Sequence, residues 1–114
     1  MNDREFCEMV DGILTEVGVP FKHGVIEFEN RAPPVYIGYN FYDVPKLFGD
    51  GFEEETEYFI TLDIVADSTS AIDETYDILL PLMIENGFCR SGGSYSANSD
   101  HPKYYQKSVD FNYT

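Results

Sequence analysis

The chain has no tryptophan, two cysteines and two histidines, and seven lysines and arginines against 21 aspartates and glutamates. Two cysteines outside a C-x-x-C pair exclude a disulfide framework. The formal net charge of -14 argues against binding to nucleic acid or to an anionic membrane, because both need basic protein surfaces. No apolar run approaches the roughly 20 residues of a transmembrane helix, so we expect no membrane association.

The start of the chain, Met-Asn-Asp-Arg-Glu, lacks the basic and apolar regions of a signal peptide. We therefore expect a cytosolic protein, with Cys7 as a reduced thiol at the edge of the first helix's apolar face. A length of 114 residues and a hydrophobic content of 43% predict one globular domain, residues 1–114.

Residues for catalysis or metal binding do not fall into any recognisable pattern. His23 and His101 have no second ligand at metal-binding spacing, and their neighbours predict surface turns. Gly92-Gly93-Ser94 lacks the lysine of a phosphate-binding loop. We expect neither an enzyme nor a cofactor site.

The clearest periodic signals lie in residues 55–88. Apolar residues alternate along a predicted strand at 57–65, while Phe59 and Val65 indicate that its polar face is partly covered. A helix follows at 71–86, with Ser70 and Asp73 resembling a capping box. Gly87 is placed to end this helix in a Schellman motif.

The other elements follow from the same rules. The apolar stripe of residues 3–17 predicts the first helix, which Gly18 ends, and residues 19–34 predict a link with one short edge strand. Alternation predicts strands at 35–42 and 104–113, and a weak strand near 89–99. Residues 43–54 predict a long loop that carries the acidic run Glu53, Glu54 and Glu55.

This order of elements, α-(β)-β-β-α-β-β, predicts the α+β class. We expect a two-layer sandwich in which about four mainly antiparallel strands carry both helices on one face.

Surplus apolar and aromatic positions suggest a protein contact surface. Ile78 and Leu82 lie off the main stripe of the second helix, which indicates either a second buried contact or a wide core face. Nine tyrosines exceed the need of one small core, and strand propensity explains most of them. Our candidate subunit-interface residues are Ile78, Leu82, Tyr36 and Tyr42.

Five segments follow one another in a recognisable order: Ile13–Pro20, Pro33–Tyr39, Glu57–Ile64, Gly87–Phe88 and Tyr104–Phe111. In these segments the chain resembles the small tail-completion, or tail-terminator, proteins of long-tailed phages and of prophages in Gram-positive bacteria. The resemblance rests on the pattern and order of the segments rather than on an invariant motif, and residues 43–54 depart from it.

The resemblance implies an α+β sandwich that forms a ring, usually hexameric, in the virion tail after assembly in the host cytoplasm. Such a ring closes the tail tube and joins it to the head connector. It implies no catalytic residues, and an acidic ring would let DNA pass without adhering.

Two other functions stay open. An acidic DNA mimic or anti-host protein would occupy the basic site of a nucleic-acid-binding partner, with carboxylates spaced like phosphates on one face. A small ligand-binding or immunity-type domain would instead need a pocket lined by tyrosines.

Overall fold

The computed structural model describes residues 1–24, 33–48, 52–97 and 103–114, and for residues 46–48, 52–54 and 97 the backbone alone. The protein is α+β, as predicted, and the predicted order of elements is confirmed. The elements are α1 (Asp3–Val17), β1 (Phe21–His23), β2 (Val35–Phe48), β3 (Phe52–Ala66), α2 (Thr69–Glu85), β4 (Cys89–Ala97) and β5 (Tyr105–Tyr113).

The strands form one mixed sheet in the order β1-β2-β3-β5-β4. The predicted number of about four antiparallel strands is corrected to five, because β1 pairs with β2 in parallel, from Phe21 opposite Ile37 to His23 opposite Tyr39. β1 lies within residues 19–34, where one short edge strand was predicted, but its parallel pairing depends on the register of the sheet and was not predicted. The remaining pairs are antiparallel.

One face of the sheet, the inner face, carries the hydrophobic core. Register places Leu62 of β3 between Tyr39 of β2 and Val109 of β5, and all three side chains are buried. Both helices contribute buried residues to this same core. On the α1 side, the Phe6 ring stacks on Tyr58 at a centroid distance of 4.3 Å.

Local hydrogen bonds define the ends of both helices. Asn2 and Glu5 form a capping box at the start of α1, and Gly18 ends that helix at φ 86°. The cap of α2 is Ser68, whose Oγ accepts from the Ala71 amide, rather than the predicted Ser70, because the helix already begins at Thr69.

The predicted Schellman motif at the end of α2 is confirmed. Gly87 has φ 93°, and its amide donates to the Ile84 carbonyl at 3.0 Å. The Phe88 amide donates to the Met83 carbonyl at 3.1 Å, which directs the Phe88 ring into the core.

The prediction of a loop over residues 43–54 is wrong for the described part of that range, and residues 49–51 lie outside it. The backbone continues as strand to Phe48 and resumes as strand at Phe52, with a bulge between Lys46 and Leu47. Pro45 signalled a loop, but proline fits a strand edge that lacks a partner. β1 pairs with β2 at positions 37–39, so among the described residues no strand pairs with the side of β2 that faces away from β3 at Pro45.

Beyond the body of the sheet, residues 44–48 and 52–57 form a two-stranded hairpin that we call the arm. The last pairing of β3 with β5 is Tyr58 opposite Tyr113, so within the described part of the chain the arm strands pair only with each other. At about 3.4 Å per residue, the arm extends about 17 Å. It contributes to the elongated shape, whose principal extents are 53 × 27 × 23 Å.

Candidate functional site

The face of the sheet opposite the helices, the outer face, carries the alternating polar residues of β3 and β5. No described helix lies over it, and its side chains near the arm are exposed, with Tyr42 62% exposed. At the other end, Tyr36 and Val65 are buried, and the Tyr36 ring lies 6.4 Å from that of Tyr104. The Tyr104 hydroxyl donates to the Pro33 carbonyl, which ties the start of β5 to the start of β2.

Cross-strand hydrogen bonds join β3 to β5 along the middle of the outer face. We call this set of bonds the ladder. Thr61 Oγ1 donates to Asp110 Oδ1 at 2.7 Å, and these residues are direct partners in the register. Ser108 Oγ donates to Asp63 Oδ1 at 2.6 Å, again between direct partners.

One further cross-strand bond extends the ladder at one end, and a bond within β5 adjoins it at the other. Asn112 Nδ2 donates to Glu57 Oε1 at 3.1 Å, and Gln106 Nε2 donates to Ser108 Oγ at 3.1 Å. In each carboxylate bond of the ladder a neutral group donates. The outward positions of β3 and β5 include no lysine or arginine, so the ladder keeps its negative charge.

A shallow depression of about 250 Å³ lies on the outer face beside the ladder. Its aromatic wall is a stacked pair, Tyr42 and Phe59, with ring centroids 5.1 Å apart. The carboxylate of Asp110 supplies its charge. The depression can therefore accept a hydrogen-bond donor or a cation beside an apolar group. Its lining is Tyr42, Phe59, Ile60, Thr61, Ser91, Asp110 and Phe111.

The four predicted interface residues differ in their exposure. Ile78 is 49% exposed on α2, whereas Leu82 is half-buried and packs against the core. A wide core face therefore explains Leu82 but not Ile78. Tyr36 is buried, and Tyr42 is exposed at the base of the arm.

The predicted acidic run lies in the arm rather than in a loop. Glu53, Glu54 and Glu55 are strand residues of β3, and the Glu55 side chain is exposed. Register pairs Glu55 with Lys46 and Glu53 with Leu47, which leaves Glu54 as the extra residue of the bulge.

On the inner side, β1 and α1 bring a second group of polar residues together. His23 was predicted in a surface turn, but it lies in β1 and stacks on Tyr39 at a centroid distance of 4.9 Å. Cys7 Sγ lies 3.9 Å from His23 Nδ1. The second histidine, His101, lies outside the described residues.

Tyr39 is 1% exposed, and its hydroxyl donates to Asp11 Oδ1 at 2.7 Å. Burial raises the pKa of the Tyr39 phenol well above its ordinary value, and the hydrogen bond to the Asp11 carboxylate and its charge raise it further. The phenol therefore stays protonated and acts as a fixed donor that joins β2 to α1.

The ladder was missed in the sequence, although its signal was present. Polar residues alternate on both partner strands, as Thr61 and Asp63 on β3 and Ser108 and Asp110 on β5. Only the register shows which donor faces which carboxylate. Within the described residues, no group of three His, Cys, Asp or Glu side chains could hold a metal ion. In the same part of the chain, no helix has the length and apolar character needed to cross a membrane.

No protein-family model matches this chain, and a search of curated proteins also gives no match. The arm, the outer face and the exposed side of α2 are the surfaces of the described residues that could bind a partner.

Proposed function

We propose that this protein is a structural component of a long-tailed phage or prophage that closes the tail tube as a ring, usually of six copies, and joins it to the head connector. The arm is the observation that carries this proposal, together with the resemblance given by the sequence. We also propose that the sheet and the two helices form a two-layer sandwich, which is the fold that the resemblance implies.

The arm supports self-association because no strand among residues 1–24, 33–48, 52–97 and 103–114 pairs with it as a third strand. A two-stranded hairpin is marginally stable by itself in water. Three of its described side chains add little burial, since Val44 is 42% exposed and Pro45 and Glu55 are exposed, whereas Thr56 and Glu57 at its base are half-buried. Contact with a neighbouring subunit would bury these side chains and stabilise the arm.

The aromatic base of the arm supports the same contact. Tyr42 and Phe59 form a stacked pair beside the depression, and Tyr42 keeps most of its surface exposed. Tyrosine is enriched in protein interfaces because its ring is apolar and its hydroxyl forms hydrogen bonds. A neighbouring subunit that contacts the arm could therefore also cover this pair.

Charge opposes the assembly at low ionic strength. Six copies at -14 each bring a formal charge of -84 together (6 × -14). The Debye length shrinks from about 30 Å at 0.01 M salt to about 10 Å at 0.1 M, which weakens this repulsion. We therefore expect a monomer in dilute low-salt buffer and a ring at higher salt, at higher concentration or on tail-tube ends.

The test is light scattering across ionic strength and concentration, with and without purified tail tubes from the same genome, and electron microscopy of the tube ends. We expect a double Tyr42→Ser, Val44→Ser variant to abolish the ring. The matched control is Tyr95→Ser, which removes a tyrosine that is 49% exposed on β4, away from the arm. A wild-type protein that stays monomeric throughout and never binds tube ends would refute the proposal.

The second candidate is an acidic DNA mimic, and the ladder favours it. Asp63 and Asp110 are held on neighbouring strands by hydrogen bonds and are offset by two residues in the register. Diagonal neighbours of this kind lie about 7–8 Å apart, which is in the range of phosphate spacing along a nucleic-acid strand.

The test of the DNA-mimic function is displacement of DNA from purified basic nucleoid proteins, which Asp63→Asn with Asp110→Asn should abolish. Displacement by a monomer that does not bind tube ends would put this function first.

A further inference from the structure

Helix α2 carries an apolar stripe on the side that faces away from the core. Ile78 is 49% exposed, Ile84 is 54% exposed, and Pro81 between them is also exposed. Residues three apart are neighbours on a helix surface, so Ile78, Pro81 and Ile84 form one continuous stripe. The stripe is separate from the arm and from the outer face, because α2 packs on the inner face.

The charges around this stripe have one sign. Asp77 is four residues before Pro81, Glu74 is four before Ile78, and Glu85 is four after Pro81, so each acid flanks the stripe. All three acids are exposed, and α2 contains no lysine, arginine or histidine. Glu85 also lies in the last turn, where the helix dipole disfavours negative charge, which increases the negative potential there.

Asp77 gives this surface a charged acceptor. Its side chain is exposed and lies about one helical turn before Pro81. A guanidinium carries several donors in a fixed plane and can bind one carboxylate through two of them.

The size and charge of the stripe argue against a second copy of this chain as its occupant. A stable interface buries about 800 Å² on each partner, which is more than three partly exposed side chains can supply. A second copy would also bring a net charge of -14 against an acidic surface. A short basic amphipathic segment fits both the area and the sign of charge.

We propose that the α2 stripe of Ile78, Pro81 and Ile84 docks a basic amphipathic helix of a different protein, with an arginine or lysine of that helix bound at Asp77. This partner covers the stripe with apolar side chains and places its cations against Glu74, Asp77 and Glu85. The inference goes beyond the ring and does not rest on it, because it uses no residue of the arm or outer face.

The test uses the full chain as a dilute monomer and a synthetic helix of about 18 residues, long enough to be helical, with leucine on one face and arginine beside it. Fluorescence anisotropy measures Kd, and NMR shifts of the labelled protein locate the site. We expect the shifts to concentrate on α2. A matched peptide with glutamate in place of arginine should not bind, and one with serine in place of leucine should bind at least tenfold more weakly.

Variants of the protein separate the apolar from the charged contribution. Ile78→Ser with Ile84→Ser should weaken binding about tenfold or more, because two apolar contacts are lost. Asp77→Asn should weaken it about two- to fivefold at low salt and reduce its salt dependence. The controls are Val44→Ser, an exposed apolar residue of the arm, and Glu16→Gln, an exposed acid of α1, and neither should change Kd.

Three outcomes would overturn the proposal. Shifts spread evenly over the acidic surface, with no effect of the isoleucine double variant, would mean that charge alone attracts the peptide. Loss of wild-type self-association in that double variant would make a second copy the occupant. Absence of peptide binding at low salt would show that α2 carries no such site. Circular dichroism of each variant checks that the variant remains folded.

Discussion

Strand β3 places two unlike surfaces on opposite sides of one backbone. On the inner face, Ile60, Leu62 and Ile64 are at most 1% exposed and pack under both helices. On the outer face, Thr61 and Asp63 are half-buried and form hydrogen bonds to β5. The inner residues exclude water, whereas the outer residues exchange hydrogen bonds with water for hydrogen bonds within the sheet.

This difference means that the inner face supplies most of the stability, whereas the outer face is available for recognition. Burial of a large aliphatic side chain contributes about 1.5–3 kcal/mol, whereas a hydrogen bond that replaces one to water contributes about 0.5–1.5 kcal/mol. The outer positions near the arm can therefore vary in sequence at small cost in stability, unlike Tyr36 and Val65, which are buried at the other end of that face. The inner face cannot, because its side chains fill one continuous core.

The largest expected effect is that of Leu62→Ala, which tests the inner face directly. Leu62 is 0% exposed, so the substitution should lower the free energy of unfolding by about 2–5 kcal/mol, measured by urea denaturation. The matched comparison variant is Thr61→Val, because Thr61 precedes Leu62 in β3 and lies on the outer face. Loss of its bond to Asp110 should lower the free energy of unfolding by about 1 kcal/mol. Equal losses for the two variants would remove the distinction between the faces.

The second prediction concerns the turn that directs Phe88 into the inner core. Gly87→Ala should destabilise by about 1–2 kcal/mol, because Gly87 has φ 93° and an added Cβ would lie 3.2 Å from Tyr113 Cε2. The control is Gly12→Ala in α1, where an added Cβ meets nothing within 4 Å. That change should stabilise by up to about 1 kcal/mol. A neutral Gly87→Ala would show that the left-handed conformation is not required.

The third prediction tests the polar contact inside the inner face. Tyr39→Phe removes the hydrogen bond to Asp11 and should cost about 1 kcal/mol at neutral pH. The pKa of Tyr39 is raised in the folded state, so its contribution is complete below the unfolded value of about 10 and is lost as the pH rises above it. The wild type should therefore lose stability above about pH 10 more steeply than Tyr39→Phe. Parallel pH profiles would argue against a raised pKa.

The smallest expected effect on stability is that of Tyr42→Ser and Val44→Ser. Val44 is exposed in the arm, so Val44→Ser should alter the free energy of unfolding by less than about 0.5 kcal/mol. Tyr42→Ser also removes the stack on Phe59 and should lower it by about 0.5–1 kcal/mol. Thermal denaturation of the monomer at low salt measures this without assembly. A loss above about 1 kcal/mol would mean that these residues belong to the core and would exclude their use as interface probes.

Interactions close in sequence were predictable. The caps at Asn2 and Gly18, the end of α2 at Gly87 and the inner alternation of β3 depend on residues within about four positions or on a period of two. The assignment of Ser70 as a cap failed because a serine two residues earlier, Ser68, offers the same chemistry.

The candidate surfaces were predictable only in part. Ile78 was identified because it departs from the apolar stripe of α2, and it is exposed. Ile84 was not predicted as a surface residue. In the sequence it follows Met83 of the core-facing stripe and therefore looks like the edge of that stripe. Tyr36 was expected at an interface, but the pairing of β2 with β3 and the approach of Tyr104 bury it.

The sequence by itself determined the α+β class, the order of the elements and the face of each main strand that enters the core. These follow from periodicity and local caps, which each segment expresses without the others. Tertiary structure alone decided that β1 is parallel, that residues 44–48 and 52–57 extend as an arm, and that Asp63 and Asp110 meet Ser108 and Thr61. Those features depend on strand register across distant parts of the chain, and register is set by the packing of the whole sheet.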